Sequence, residues 1–150
     1  MRAVADVTRG VVHAQIEIAG PPAAVFDALT DPQQLASWWG GELYRTFDWK
    51  LDVRPGGAWS VNTESPTGAQ RVYGEFLRVE PPHRLAYTWH ASWDGFARTE
   101  IHYELEAIPS GTRVRVVHEG FTGRPASCEG HAQGWDFVLG WLSRHVERRG

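Results

Sequence analysis

Between positions 43 and 118, apolar side chains recur at every second residue, in blocks separated by short runs rich in Gly, Pro, Ser and Asp. Phe47, Trp49, Leu51 and Val53 alternate with Asp48, Lys50 and Asp52 until Arg54-Pro-Gly-Gly57 turns the chain. Trp59, Val61 and Thr63 repeat the pattern before the turn Ser65-Pro-Thr-Gly68. Leu85, Tyr87 and Trp89 share a face after Pro81-Pro82, and Ala97, Thr99, Ile101, Tyr103, Leu105 and Ala107 do so after Ser92-Trp-Asp-Gly95. In the last block Val114, Val116 and His118 oppose Arg113, Arg115 and Val117. Side chains alternate between faces along a strand, so each block predicts a strand with one buried and one solvated side. Residues 71–79 lose phase, because Val72, Gly74 and Phe76 share one face and Val79 falls on the other; a bulge near Leu77 reconciles them.

The two ends of the chain read differently. Residues 13–19 alternate as one more strand, which stops at Gly20-Pro-Pro22 because Pro donates no ladder hydrogen bond. Ala23-Ala-Val-Phe-Asp-Ala-Leu29 predicts a short helix with Pro22 in its first turn, and a second short helix runs from 32 to 37 or 38. Near the C-terminus Trp135, Val138, Leu139, Leu142 and Val146 take the spacing of an amphipathic helix over about residues 129–147, with Phe137 and Trp141 widening its apolar arc. Tight turns imply antiparallel pairing, so the fold class predicted is α+β: a curved antiparallel sheet of six to seven strands wrapped around a long C-terminal helix, with two short helices after the first strand. A twisted sheet of this size curls, and a straight helix across its concave side meets it at the ends and stands off in the middle. The expected result is a cavity.

Length and composition narrow the partners. At 150 residues the chain is read as one domain, 1–150. A net charge of −3 gives no basic field for nucleic acid, and no apolar run is long enough to span a membrane. The single cysteine, Cys128, excludes a disulfide within the chain, and with no signal-peptide pattern the expected location is cytoplasmic. Eight Trp, four Tyr and six Phe stand against one Met, so aromatic surface is in use.

Several motifs carry a family resemblance. Pro-Pro-Ala-Ala-Val-Phe-Asp-Ala-Leu-Thr-Asp-Pro, Leu-Ala-Ser-Trp-Trp-Gly, Leu-Asp-Val-Arg-Pro-Gly-Gly-Ala-Trp, Val-Glu-Pro-Pro-His-Arg-Leu-Ala-Tyr-Thr-Trp and Gly-Trp-Asp-Phe-Val-Leu occur in that order. Together, over about residues 14–146, they resemble the START-like (SRPBCC) superfamily, and within it the branch named for the heat-shock-protein ATPase activator homologues. The resemblance implies a helix-grip fold in which the sheet grips the C-terminal helix around a ligand pocket. Its relatives include lipid and hormone binders, polyketide cyclases and stress-linked proteins. Co-chaperone members carry a further N-terminal domain with no counterpart in this sequence.

The inward faces supply the candidate cavity wall: Trp49, Trp59, Phe76, Tyr87, Trp89, Ile101, Tyr103 and His118 from the strands, and Trp135 and Leu139 from the helix. Trp38 and Trp39 are adjacent on a short helix, so one is expected to plug the core while Trp39 lines the entrance, and Gly40-Gly41 lets the chain leave freely. His118 is the one ionisable group that alternation places inward; it either orients a ligand or, more commonly for a buried histidine, serves its neighbours through hydrogen bonds. His90 and His102 fall outward, and so do Asp48, Asp52, Glu100, Glu104 and Glu106, which leaves no inward acid and base pair. Cys128-Glu-Gly-His131 is half a zinc site at best, so no metal and no cofactor are expected. Sequences typical of hydrolases and phosphate-binding loops are missing. The leading expectation is a protein binding a small hydrophobic molecule, aromatic or lipid-like, without catalysis. The alternatives are a cyclase or dehydratase in which His118, Tyr87 or Tyr103 moves a proton, and a protein-interaction or co-chaperone-like module that includes a possible homodimer.

Overall fold

A computed structural model describes residues 2–150. These form eight strands and three α-helices: β1 (Ala3–Asp6), β2 (Val11–Ile18), α1 (Pro22–Thr30), α2 (Pro32–Trp38), β3 (Arg45–Leu51), β4 (Ala58–Ser65), β5 (Gly68–Glu80), β6 (Arg84–Ala91), β7 (Arg98–Ile108), β8 (Gly111–Glu119) and α3 (Pro125–Arg149), with a 3-10 turn at Ser92–Asp94. The strands make one antiparallel sheet in the order β1-β2-β8-β7-β6-β5-β4-β3. The helices α1 and α2 occupy the crossover between β2 and β3, which carries the chain from one side of the sheet to its far edge. The α+β helix-grip architecture expected from the alternation is the one found, with one strand more than expected.

That extra strand is β1, whose four residues are too short to announce themselves by periodicity. It pairs with β2 from Ala3↔Ala14 to Asp6↔Val11, and Asp136 of α3 accepts hydrogen bonds from the backbone N–H groups of Arg2 and Ala3. α3 also begins earlier than its apolar stripe suggests, with Pro125 in the first turn, where a missing N–H is harmless. At 1.5 Å per residue its 25 residues extend about 37 Å. Among the described residues, no helix is long and apolar enough to cross a membrane.

Two irregularities set which side chains face inward. The β5–β6 register shifts between Phe76 and Arg78, where the loss of phase calls for a bulge near Leu77. A second shift, between Phe47 and Lys50, was not visible in the sequence. Asp48 sits there with φ of 56°, a left-handed conformation that Asp tolerates better than most residues. The shift reverses the expected phase of β3 upstream of Asp48, while Trp49 and Leu51 keep theirs. Thr46, not Phe47, is buried inside, while Phe47 lies outside beneath the guanidinium of Arg45.

The Trp38-Trp39-Gly40-Gly41 stretch locks α2 in place. Asp31 caps α2 by accepting from the Gln33 N–H, and the Trp38 indole donates to the Ala28 carbonyl at 3.0 Å, tying α2 to α1. Trp39 caps the other end in an extended conformation, so its ring leaves the helix toward the sheet. Gly40 and Gly41 follow with φ of 114° and 53°. A Cβ on Gly41 would lie 2.2 Å from Nε1 of Trp141, so the loop takes glycine for space as well as for conformation.

Beneath the cavity the core is solid. The Trp59 indole crosses β5 over Gly74 and donates to the Thr88 carbonyl at 3.1 Å. A Cβ at Gly74 would meet Thr88 O at 1.9 Å and Trp59 Nε1 at 2.4 Å. Gly74→Ala is therefore expected to destabilise the protein by about 3 kcal/mol, the range of overpacked cores. Urea unfolding checks this, and a change under 1 kcal/mol would mean that Trp59 can move aside.

Candidate functional site

A cavity of about 610 Å³ opens between the N-terminal half of α3 and the concave face of the sheet. This is within the roughly 300–1,000 Å³ of small-molecule sites. Indoles of Trp39, Trp49, Trp89 and Trp135 wall it with Val61, Val72 and Val138, while Thr63, Gln70, Trp93, Asp94 and Ser127 border it with polar or exposed groups. Trp39 is the hub of the aromatic wall, its ring centroid 5.9 Å from Trp49, 6.1 Å from Trp89 and 6.2 Å from Trp135.

Along the exposed rim of the cavity α3 presents small residues. Ala126, Gly130, Gly134 and Val138 recur every fourth position and all border the cavity, and a Cβ on Gly130 or Gly134 would touch nothing within 4 Å. Each glycine costs a helix interior about 1 kcal/mol relative to alanine. No packing contact requires either of them, so the helix gives up stability where the void lies.

The nitrogens of the wall's indoles and imidazoles are already engaged. The indole N–H of Trp39 donates to the Tyr44 hydroxyl, that of Trp49 to Thr46 Oγ1, that of Trp89 to His131 Nε2 and that of Trp135 to His118 Nδ1. Thr99 Oγ1 donates to the Trp89 carbonyl, so it accepts from His118 Nε2 at 2.8 Å. His118 is thereby fixed as the neutral Nε2–H tautomer with both nitrogens used. Burial, with His131 and Arg124 nearby, holds its pKa well below the usual 6.5. His131 donates from Nδ1 to the Ser127 carbonyl at 2.8 Å and stacks on Trp93. Its pKa is also lowered, chiefly by burial. Asp94 binds Arg124 and accepts from the Ser127 hydroxyl, clasping the 3-10 turn to the start of α3.

Of the residues expected to line the cavity, Trp39, Trp49, Trp89, His118 and Trp135 border it. Trp59, Phe76, Tyr87, Ile101, Tyr103 and Leu139 do not; they are buried in the packed floor. Trp59, Phe76 and Tyr87 surround only a residual void of about 10 Å³, closed by Leu29 and Leu35 from α1 and α2. The physical reason is depth: alternation identifies a face, whereas the helices α1 and α2 decide which part of that face is covered. Tyr87 and Tyr103 bond each other at 2.7 Å, and burial raises both phenols well above their ordinary range.

Sequence reasoning missed Tyr44, Thr46, Thr63, Gln70, Trp93, Asp94, Ser127, Gly130, His131 and Gly134 on the cavity. Asp94 corrects the expectation that no carboxylate faces the site, since it comes from a turn rather than a strand. His131 was considered only as a partner for Cys128. The Cys128 thiol instead points to the Val11 carbonyl, and burial pushes its pKa up. The recurrence of Ala126, Gly130, Gly134 and Val138 was the legible signal for the helix's open face. On the outer face of the sheet, Glu100, His102 and Glu119 bring donor atoms within 4.8 Å of one another. Glu100 holds Arg98 and His102, so ion pairing accounts for that group.

A curved antiparallel sheet gripping one long helix around an aromatic cavity defines a START-like (SRPBCC) domain. The sequence pattern of the family described as Activator of Hsp90 ATPase homolog 1-like protein matches residues 19–147, and the chain belongs to that family. Solved structures share the fold. A protein from Arthrobacter aurescens superposes with a TM-score of 0.84 at 18% identity, over 97% of this chain and 91% of that one. Protein CV1439 from Chromobacterium violaceum gives 0.78 at 26%, over 92% and 98%. The AHSA1-like protein from Aeromonas hydrophila gives 0.77 at 25%, over 93% and 94%. No protein with a curated description matches the chain.

Two outcomes are expected of the site. Gly130→Ala with Gly134→Ala should raise unfolding stability by about 1–2 kcal/mol, because helix propensity improves and nothing clashes. Unchanged or reduced stability in urea would show that these glycines serve the backbone rather than the void. The second concerns pH. His118 and His131 are neutral when folded and protonate near 6.5 when unfolded, so the unfolded state binds more protons below that value. Stability is complete above pH 6.5 and falls as pH drops toward the lower folded values, by up to about 1.4 kcal/mol per pH unit for each histidine. Unfolding at pH 7.5 and 5.5 measures the slope, and His131→Gln should reduce it.

Proposed function

We propose that this protein binds a small, flat, apolar molecule in the cavity beneath α3 and does not transform it. One observation carries the reading: the indole N–H groups of Trp39, Trp49, Trp89 and Trp135, and both nitrogens of His118 and His131, are all committed to protein partners. The wall therefore offers aromatic faces and dispersion contacts rather than a free acid or base. A general base needs an available lone pair near its operating pH, and neither histidine presents one. Tyr87 and Tyr103, the other candidates for proton transfer in a cyclase-like reaction, lie in the floor with their hydroxyls turned on each other. The helix glycines add support, because a stability cost beside an empty volume is expected where the volume itself is selected.

The test is native mass spectrometry of protein purified without detergent, beside an organic extract of the same sample and titration with aromatic probes followed by Trp fluorescence. A discrete added mass, or saturable quenching, is expected. Gly134→Phe, which places a ring at the rim of the void, should weaken probe binding at least tenfold while the protein stays folded. Unaltered probe binding in that variant, or turnover of a bound molecule, would overturn the proposal.

A further inference from the structure

A second volume of about 600 Å³ adjoins the first at the β3 edge of the sheet, between the end of α2 and the β4–β5 turn. Trp39, Tyr44, Thr46 and Ser65 border both volumes. These four residues are thus a wall between an inner aromatic cavity and an outer groove. The Trp39 indole donates to the Tyr44 hydroxyl at 3.1 Å, which leaves the phenol its own proton to donate. Tyr44 is steadied from behind by an edge-on contact with Trp141 at 5.8 Å.

The outer groove differs in chemistry from the inner cavity. Its charged groups are Glu42, Arg45 and Glu64. Arg45 lies 3.6 Å from Glu64, and its guanidinium covers the Phe47 ring at 4.2 Å, so its charge is already engaged. Among the described residues, Glu42 makes no side-chain hydrogen bond or ion pair. The groove therefore carries one net negative charge, beside Trp39 and Tyr44. An uncommitted carboxylate attracts a cation and disfavours an anion.

We propose that the ligand has two parts: a flat apolar body in the inner cavity and an ammonium-bearing tail that passes Tyr44 and Ser65 to meet Glu42 in the outer groove. This rests on the binding function proposed above and adds the charge and direction of the ligand. The body supplies most of the affinity through the buried indoles. The tail sets selectivity, since the one carboxylate on the inner cavity, Asp94, is already paired with Arg124.

Three probes with the same naphthalene body test this, one with a propyl tail, one with a propylamine tail and one with a propanoate tail. Each is titrated by Trp fluorescence and calorimetry at neutral pH and low salt. The amine is expected to bind at least tenfold more tightly than the propanoate, with the propyl probe between them. In the Glu42→Gln, Glu64→Gln double variant the preference should fall below threefold while propyl binding is unchanged; both side chains are on the surface, so folding is preserved. Backbone amides of Ala36, Ser37 and Glu42 should shift in NMR spectra with the amine and not with the propyl probe. Equal binding of all three probes, an amine preference that survives the double variant, or amide shifts confined to the inner cavity would each overturn the two-part ligand and leave the cavity function standing. Failure of every probe to bind would remove both.

Discussion

The indole of Trp135 donates to His118, His118 to Thr99, and Thr99 to the carbonyl of Trp89, so one buried chain of hydrogen bonds runs from α3 through β8 and β7 to β6. Its members are nearly inaccessible to water, and each polar atom would lose far more by being left alone than it gains by being paired. The chain therefore holds the helix at one height above the sheet. On the C-terminal side of that tether Leu139, Leu142 and Val146 close down on the core. On the N-terminal side the sheet curves away and the helix shows it glycine. Trp89, His118 and Trp135 of the tether themselves form part of the cavity wall.

The same tether explains the chemistry of the wall. In this region the polar groups face one another, and the donor and acceptor atoms that a catalyst would turn toward its substrate are used to hold secondary structure together. His131 extends the arrangement outward: Trp89 donates to it, it donates to Ser127, and Ser127 reaches the Asp94–Arg124 pair. Floor and mouth are consequently parts of one network. The two meet at Trp89, whose indole N–H donates to His131 and whose backbone carbonyl accepts from Thr99.

Much of the fold was legible because it depends on periodicity, which physical chemistry ties directly to burial. The faces of Trp89, Ile101, Tyr103 and His118 follow from the alternation alone. What was not legible depends on events that periodicity cannot record. The bulge at Asp48 exchanged Thr46 for Phe47 on the inner face, since one extra residue inverts every position upstream of it. Trp59 and Phe76 were placed on the correct face but at the wrong depth, because the coverage by α1 and α2 is a tertiary matter. Asp94 and Trp93 come from a turn, where no period applies. Gly130 and Gly134 were overlooked for a simpler reason: an apolar stripe draws attention to what a helix buries, and a cavity is made by what it omits.

The open positions on α3 have an evolutionary consequence. Positions 130 and 134 are exposed at the cavity rim, and a Cβ at either would meet nothing within 4 Å, so either site can accept a side chain without displacing backbone or strand. The mouth of the cavity can thus be remodelled in small steps from one helix, while the tethered half of the molecule keeps the fold intact. A scaffold of this kind separates the residues that decide whether it folds from those that decide what it holds, and divergence of ligand choice then requires no divergence of architecture.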